Sequence, residues 1–321
     1  MSFNFFVPIE RELEVVERNL ICNIDSSVPI LNEASQHLVS AGGKRLRPAF
    51  ALLSAKIFKD DINDIIPMAV ALELIHMATL VHDDVIDDSE VRRGTQTVKS
   101  GWGNRVSIYA GNYIFARALS IIASYGRNDI LDILADASMK ICEGEIVQMM
   151  SSFDITKGLK NYLRRIERKT ALLISVSCQL GAVLCNANQR DINALKLYGY
   201  YLGMAFQITD DILDYIADEE VLGKPTGSDI RQGVITLPAL FALKYSSKRE
   251  ELARLLASPQ LCNAYTDYII EAVIDSGGID YAYEVSSRFA FKAQKELALL
   301  PDVEVKKNLS DIADFILQRN Y

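Results

Sequence analysis

The sequence predicts an all-α fold, and three observations carry that reading. Between Pro67 and Pro225 lie 157 residues without a proline, so no ring interrupts a helix there. Across this span and beyond it the apolar residues recur at three and four rather than at two, the spacing that gives a helix one apolar face. Half of the 321 residues are apolar, enough to bury a large core. No Gly/Ser-rich or proline-rich linker divides the chain, so residues 1–321 read as a single helical domain.

Taken in order, the apolar spacing predicts helices near 9–22, 27–39, 48–58 and 65–86, with ends good to a few residues. The last of these is strongly apolar from Ile65 and runs into an acidic cluster. Helices follow at 104–124, 128–153 and 158–185. The third holds the longest apolar stretch, Ala171 to Cys185, whose fifteen residues include Ser175, Ser177 and Gln179 and fall short of the roughly 20 needed to span a bilayer. It is expected as a buried helix, and no transmembrane segment is expected. Helix 190–217 carries a second acidic cluster. Gly223-Lys224-Pro225-Thr226-Gly227 breaks the pattern and is expected as a loop over a site. Helices at 234–245, 248–257, 262–275, 279–299 and 303–319 complete the chain.

Thirty-four Lys and Arg against 42 Asp and Glu give a net charge of −8, which argues against a nucleic-acid surface and requires any anionic ligand to meet a local basic cluster. The N-terminus, MSFNFFVPIERELEVV, has neither a basic leader nor a signal-like apolar block. A cytoplasmic protein is expected. The five cysteines, Cys22, Cys142, Cys178, Cys185 and Cys262, show no CxxC pair and no metal-ligand spacing, so reduced and mostly buried thiols are expected.

One motif occurs twice: Asp83-Asp84-Val85-Ile86-Asp87, followed by Asp88, and Asp210-Asp211-Ile212-Leu213-Asp214. If each charged type supplies about 6% of residues, DDxxD arises by chance roughly 0.07 times in such a chain. Residues four apart share a helix face, so Asp83 with Asp87 and Asp210 with Asp214 each aim two carboxylates at one point. Both clusters interrupt apolar helices, where buried charges must be paired or metal-bound. Carboxylates alone suit a hard cation such as Mg²⁺, which takes one or two of them together with water and phosphate oxygens. A diphosphate substrate follows. Two basic loops, Gly42-Gly43-Lys44-Arg45-Leu46-Arg47-Pro48 and Arg92-Arg93-Gly94, extend this to two diphosphate sites, one bridged by metal and one held directly by Lys and Arg.

The segments GGKRLRP, ELIHMATLVHDDVIDDSEVRRG, ERKTA, AFQITDDILDYIAD and LGKPTGSDI together resemble the trans-isoprenyl diphosphate synthases, in that family's order from about residue 40 to 240. The chain is most similar to bacterial long-chain polyprenyl synthases of the octaprenyl and heptaprenyl kind. The resemblance implies antiparallel helices around a deep central cavity, both aspartate motifs at its mouth, and a homodimer or a heterodimer with a noncatalytic subunit. It implies two or three Mg²⁺ ions on Asp83, Asp87 and Asp210, with Asp84, Asp211 and Asp214 in the same clusters. By the same resemblance Lys44, Arg47, His76 and Arg93 match positions that bind isopentenyl diphosphate, and Arg92, Lys169, Thr170, Gln207 and Lys224 match those holding the allylic diphosphate. The spacing agrees independently, since His76, Asp83 and Asp87 lie seven and four apart.

The implied reaction is ionisation of the allylic diphosphate, attack by the isopentenyl alkene and loss of a proton, repeated along a growing chain. A product with so apolar a tail would be released at the membrane. Product length should depend on residues below the first aspartates. Thr79 is one turn before Asp83 and Ala78 is beside it, and both are small where short-chain relatives carry an aromatic ring. Two departures stand out: Val234 where many members have lysine, and a C-terminus, Gln318 to Tyr321, with little basic character. A class I terpene cyclase would share the ionisation but needs no second diphosphate site. A noncatalytic subunit would lack the aspartates, which are intact here.

Overall fold

A computed structural model describes residues 4–92, 94–217 and 226–318. The described chain is helical almost throughout, as the apolar spacing requires. After a 3₁₀ turn at Asn4–Ile9 come α1 (Glu10–Asn23), α2 (Pro29–Ser40), α3 (Leu46–Lys56) and α4 (Ile66–Ile86). A two-residue hairpin, β1 (Val91–Arg92) and β2 (Thr95–Gln96), precedes α5 (Val98–Ala123) and α6 (Asn128–Met150). Next are α7 (Leu159–Ile166), a π-helical turn (Glu167–Ala171), α8 (Leu172–Leu184) and α9 (Gln189–Ile216). The C-terminal part holds α10 (Ser228–Arg231), α11 (Leu237–Tyr245), α12 (Arg249–Leu256), α13 (Pro259–Ala264), α14 (Thr266–Asp275), α15 (Gly278–Leu297) and α16 (Glu304–Leu317).

The differences from the expected helices have local causes. Helix α5 starts six residues before the expected 104 because Thr97 caps it, accepting from the Ser100 amide, while Gly103 breaks it with φ 79° and ψ 166°. The expected 262–275 helix divides at Tyr265, whose ψ of 25° and φ of −124° leave helical geometry. Helix 158–185 is continuous but not uniform: the Leu172 amide reaches back five residues to Glu167 O, so one turn is wider than α.

Two compact units are present. The first comprises Met1–Leu134, Val176–Leu195 and Pro301–Asn308. Its core is built on α4, in which Met68, Leu72 and Leu74 have no exposed surface; α4 packs on α3 and α1, whose Phe50, Leu52, Leu53 and Leu20 are buried as well. Helix α5 packs on α4, and Gly111 lies at their approach: a Cβ there would displace the His82 ring, whose Cδ2 would be only 2.8 Å away. The second unit comprises Ala135–Ser175, Lys196–Leu300 and Leu309–Tyr321. Its core gathers Tyr162, Ile166, Met204, Ile208, Ile212, Leu252, Cys262, Ile269 and Val273. Gly203 of α9 admits the π turn, since a Cβ would sit 2.5 Å from Ala171 Cα.

Among the described residues two helices are long and apolar enough to cross a membrane, residues 63–86 with mean hydropathy 1.7 and 98–123 with 1.3; the first buries 72% of its apolar window inside the fold, as a core helix does. One expectation changes. All five cysteines are free, but only Cys178 and Cys262 are buried, whereas Cys22 and Cys142 are exposed.

Candidate active site

The first acidic cluster ends α4. The Asp87 amide closes the last turn on Asp83 O at 2.8 Å, and the Ser89 amide bonds Asp84 O at 3.0 Å. Asp88 then turns the chain with φ 53° and pairs with Lys99. The hairpin that follows places Arg92 opposite Thr95 and Val91 opposite Gln96. It is fastened by Thr97 Oγ1 donating to Ser89 O at 2.8 Å. This returns Arg92 to the helix end, where its Nε donates to Asp84 Oδ1 at 2.6 Å.

The three aspartates therefore differ in surroundings. Asp84 is 3% exposed and bonded to Arg92. Asp83 is half-buried and Asp87 exposed. His76 is half-buried, and its carbonyl accepts from Thr79 Oγ1 at 2.8 Å. Ala78 is buried and Thr79 half-buried. In the basic loop Lys44 is exposed and Arg47 half-buried, while Arg45 between them is held by acidic side chains.

The second cluster, in the second unit, repeats the division. Asp211 and Asp214 are 4% and 1% exposed, and Asp210 is half-buried. Asp214 Oδ2 accepts from the Asp229 amide at 3.0 Å, and Asp214 O accepts from the Gly227 amide at 2.8 Å. Asp211 receives two side-chain donors, Tyr162 Oη at 2.8 Å on Oδ2 and Gln207 Nε2 at 2.8 Å on Oδ1. Gln207 in turn accepts through Oε1 from Thr170 Oγ1 at 2.5 Å. Burial nevertheless dominates: it pushes the Asp211 carboxyl up to about 6, against the lowering effects of Arg165 and of these donors. Tyr162 is raised well above its ordinary value, by burial first and by the Asp211 charge second.

Lys169 is exposed on the π turn and Thr170 next to it is buried. Such turns recur at functional sites because they re-aim side chains that a regular helix would misplace. Arg93 and Lys224 lie outside the described residues. Val234, at the family's lysine position, is half-buried, and its amide bonds Asp229 O at 2.8 Å.

Sequence reasoning passed over Arg45, Tyr162 and Asp229. Arg45 stood inside the recognised GGKRLRP run. Tyr162 lies 49 positions from Asp211, and no sequence spacing connects two helices that meet through the fold.

The donor set fits a hard cation. Asp83, Asp87 and Asp210 offer only carboxylate oxygens, which suit Mg²⁺ rather than the nitrogen and sulfur sites of Zn²⁺. Among the described residues no three of His, Cys, Asp and Glu converge on one point.

The comparisons with known proteins agree along the whole chain. A sequence model of the polyprenyl synthetase family matches residues 28–273. Heptaprenyl diphosphate synthase component 2 of Bacillus subtilis is 42% identical over 321 residues, covering 100% of this chain and 91% of that protein. The protein of the same name from Geobacillus stearothermophilus is 45% identical, covering 97% and 96%. The crystal structure of a polyprenyl synthase from Caulobacter crescentus, complexed with calcium and isoprenyl diphosphate, is 36% identical with a TM-score of 0.93, covering 98% of this chain and 97% of that one. The paired aspartate motifs, the all-helical frame and these full-length similarities have one explanation: the chain is a prenyltransferase and belongs to the polyprenyl synthetase family.

Proposed function

We propose that the protein is a long-chain trans-polyprenyl diphosphate synthase, condensing isopentenyl diphosphate repeatedly onto an allylic diphosphate such as farnesyl diphosphate with Mg²⁺. The division of the aspartates carries this reading: Asp84, Asp211 and Asp214 are buried on protein donors, while Asp83, Asp87 and Asp210 reach solvent. The three that reach solvent are the ones on which metal is expected. When bound, Mg²⁺ supplies positive charge to the leaving diphosphate, of the kind that stabilises a developing anion.

Around that charge the side chains bind and orient. Lys169, Thr170, Gln207 and Lys224 hold the allylic diphosphate, and Arg92 does so only with its Nη edge, because its Nε is on Asp84. Lys44, Arg47, His76 and Arg93 hold the isopentenyl diphosphate and so bring its alkene to the allylic carbon. The allylic C–O bond breaks with its electron pair leaving on the diphosphate, the alkene attacks the allylic cation, and a proton is lost to the departed diphosphate. No protein nucleophile takes part.

Support for a long product comes from small Ala78 and Thr79 on α4 and from the heptaprenyl relatives. The name component 2 on two of them also supports a partner chain, and α6 leaves Met139, Ile146, Met149 and Met150 exposed, apolar surface of the kind a second chain covers. The assembly would act in the cytoplasm and deliver its product to the membrane. Incubating the purified chain with farnesyl diphosphate, labelled isopentenyl diphosphate and Mg²⁺ tests the proposal. Products in the heptaprenyl to octaprenyl range are expected. A geranylgeranyl product would overturn the long-chain reading, and turnover by the chain alone would remove the need for a second component.

A further inference from the structure

The residue that fixes the basic loop is Arg45, a cation of that loop held by acidic side chains. Its side chain is 10% exposed and forms a fork on Glu17 of α1, with Nε to Oε2 and Nη2 to Oε1 both at 2.7 Å. On the other edge Nη1 donates to Glu73 Oε1 of α4 at 3.1 Å. Nη2 also reaches Val39 O, the end of α2, at 3.2 Å. Glu73 is 2% exposed, so Arg45 is its charge partner in the interior. Burial works against the Arg45 charge, but Glu17 and Glu73 outweigh it and its pKa is raised.

The backbone is equally constrained. Arg45 has φ 47° and ψ 38°, left-handed values, immediately before α3 begins at Leu46. A side-chain-bearing residue there is strained and persists only where its surroundings over-determine it. Here they do, through a planar fork on one carboxylate and a charge on a second. The turn stands between Lys44, which is exposed, and Arg47, in the first turn of α3.

We infer that Arg45, clamped between Glu17 and Glu73, is the positioning residue that sets Lys44 and Arg47 at the spacing a diphosphate requires. The inference rests on the proposed role of Lys44 and Arg47 as the isopentenyl diphosphate site. Arg45 itself touches no substrate. Its fork is spent on Glu17, and what it transmits is the geometry of the turn. A cosubstrate diphosphate met by two cations on a short loop is sensitive to that geometry, because misplacement of the order of 1 Å is costly.

The test is steady-state kinetics on the active assembly carrying Lys44→Ala, Glu17→Ala, Glu17→Gln or Arg45→Lys, with a thermal melt on each. Glu17→Ala removes the fork from a partly exposed position and leaves the Arg45 charge on Glu73, so folding is preserved. It is expected to raise KM for isopentenyl diphosphate about 5- to 20-fold, with kcat and the allylic KM within about twofold of wild type. Arg45→Lys keeps a charge beside Glu73 but has no fork, and should give the same pattern. Glu17→Gln, which keeps one acceptor, should recover part of the loss. If Lys44→Ala raises this KM while Glu17→Ala and Arg45→Lys do not, or if both substrates' KM values rise together in step with a lowered melting temperature, the clamp is merely structural and the inference is overturned. If Lys44→Ala itself leaves KM unchanged, the substrate site is misassigned, a separate failure that removes the inference with it.

Discussion

Tyr162 Oη donates to Asp211 Oδ2 across 2.8 Å inside the second unit, and the second aspartate of that motif is thereby an internal anchor. Arg92 serves Asp84 in the same way at 2.6 Å. In each motif the second carboxylate is held by the fold, which leaves its neighbour, Asp83 or Asp210, on the side that reaches solvent.

This arrangement predicts two classes of aspartate variant. Asp83→Ala and Asp210→Ala should lower kcat/KM by on the order of 10²- to 10³-fold or more, the scale of losing a contact to developing charge. Their melting temperatures should stay close to wild type. Asp84→Ala should lower the melting temperature as well, because it leaves Arg92 without its carboxylate. Near wild-type turnover in either of the first pair would remove the metal assignment.

A pH dependence follows from Asp211. Its carboxyl is raised from 3.8 to about 6 by burial, so between those values the folded protein holds more protons than the unfolded chain. Stability of the metal-free protein should therefore fall as pH rises from about 4 to 6, by on the order of 2 kcal/mol. Denaturant melts in chelator across this window measure it. Asp211→Asn, which cannot titrate, should flatten the slope, and an unchanged slope would place its origin elsewhere.

Ala78→Phe is expected to shorten the product. On the proposed reading the tail descends past this position, and a ring there fills the volume while leaving the aspartates above it intact. Early condensations should continue and later ones stop. Ala78 is 1% exposed, so the competing outcome is an overpacked helix contact that costs about 1–3 kcal/mol. Chromatography of the products together with a melt separates them: full-length product with a lowered melting temperature refutes the role in chain length.

Gly203→Ala tests the seat of the π turn. The added methyl would lie 2.5 Å from Ala171 Cα, and backbone has to move, at a cost of about 1–3 kcal/mol. Because Thr170 and Lys169 sit on that turn, the allylic KM should rise while the isopentenyl KM stays near wild type. A stability loss with both constants unchanged would detach the turn from substrate binding.

Much of this was legible in the sequence, for reasons that are local. Apolar spacing located nearly every helix, since packing on one face is what makes a helix here, and the repeated DDxxD announced the chemistry. The hairpin at Val91–Gln96 was missed because two-residue strands carry no periodicity to detect. The roles of Tyr162 and Arg45 were invisible because each is defined by a partner on another helix, 49 residues away for Asp211 and 28 for Glu17 and Glu73. The unequal surroundings of Asp83 and Asp84 were hidden too, as adjacent letters of one motif look alike until the fold turns one inward.

The π turn also settles a matter of angular phase. Tyr162 and Thr170 are eight residues apart, and on a straight α-helix eight steps of roughly 100° leave side chains about 80° out of alignment. One residue absorbed in a wider turn makes the separation act as seven, which brings them to within about 20°. Their hydroxyls then meet Asp211 and Gln207, which are themselves one α-turn apart on α9. The surplus residue is a phase correction: it lets two hydroxyls on one helix address two acceptors on another.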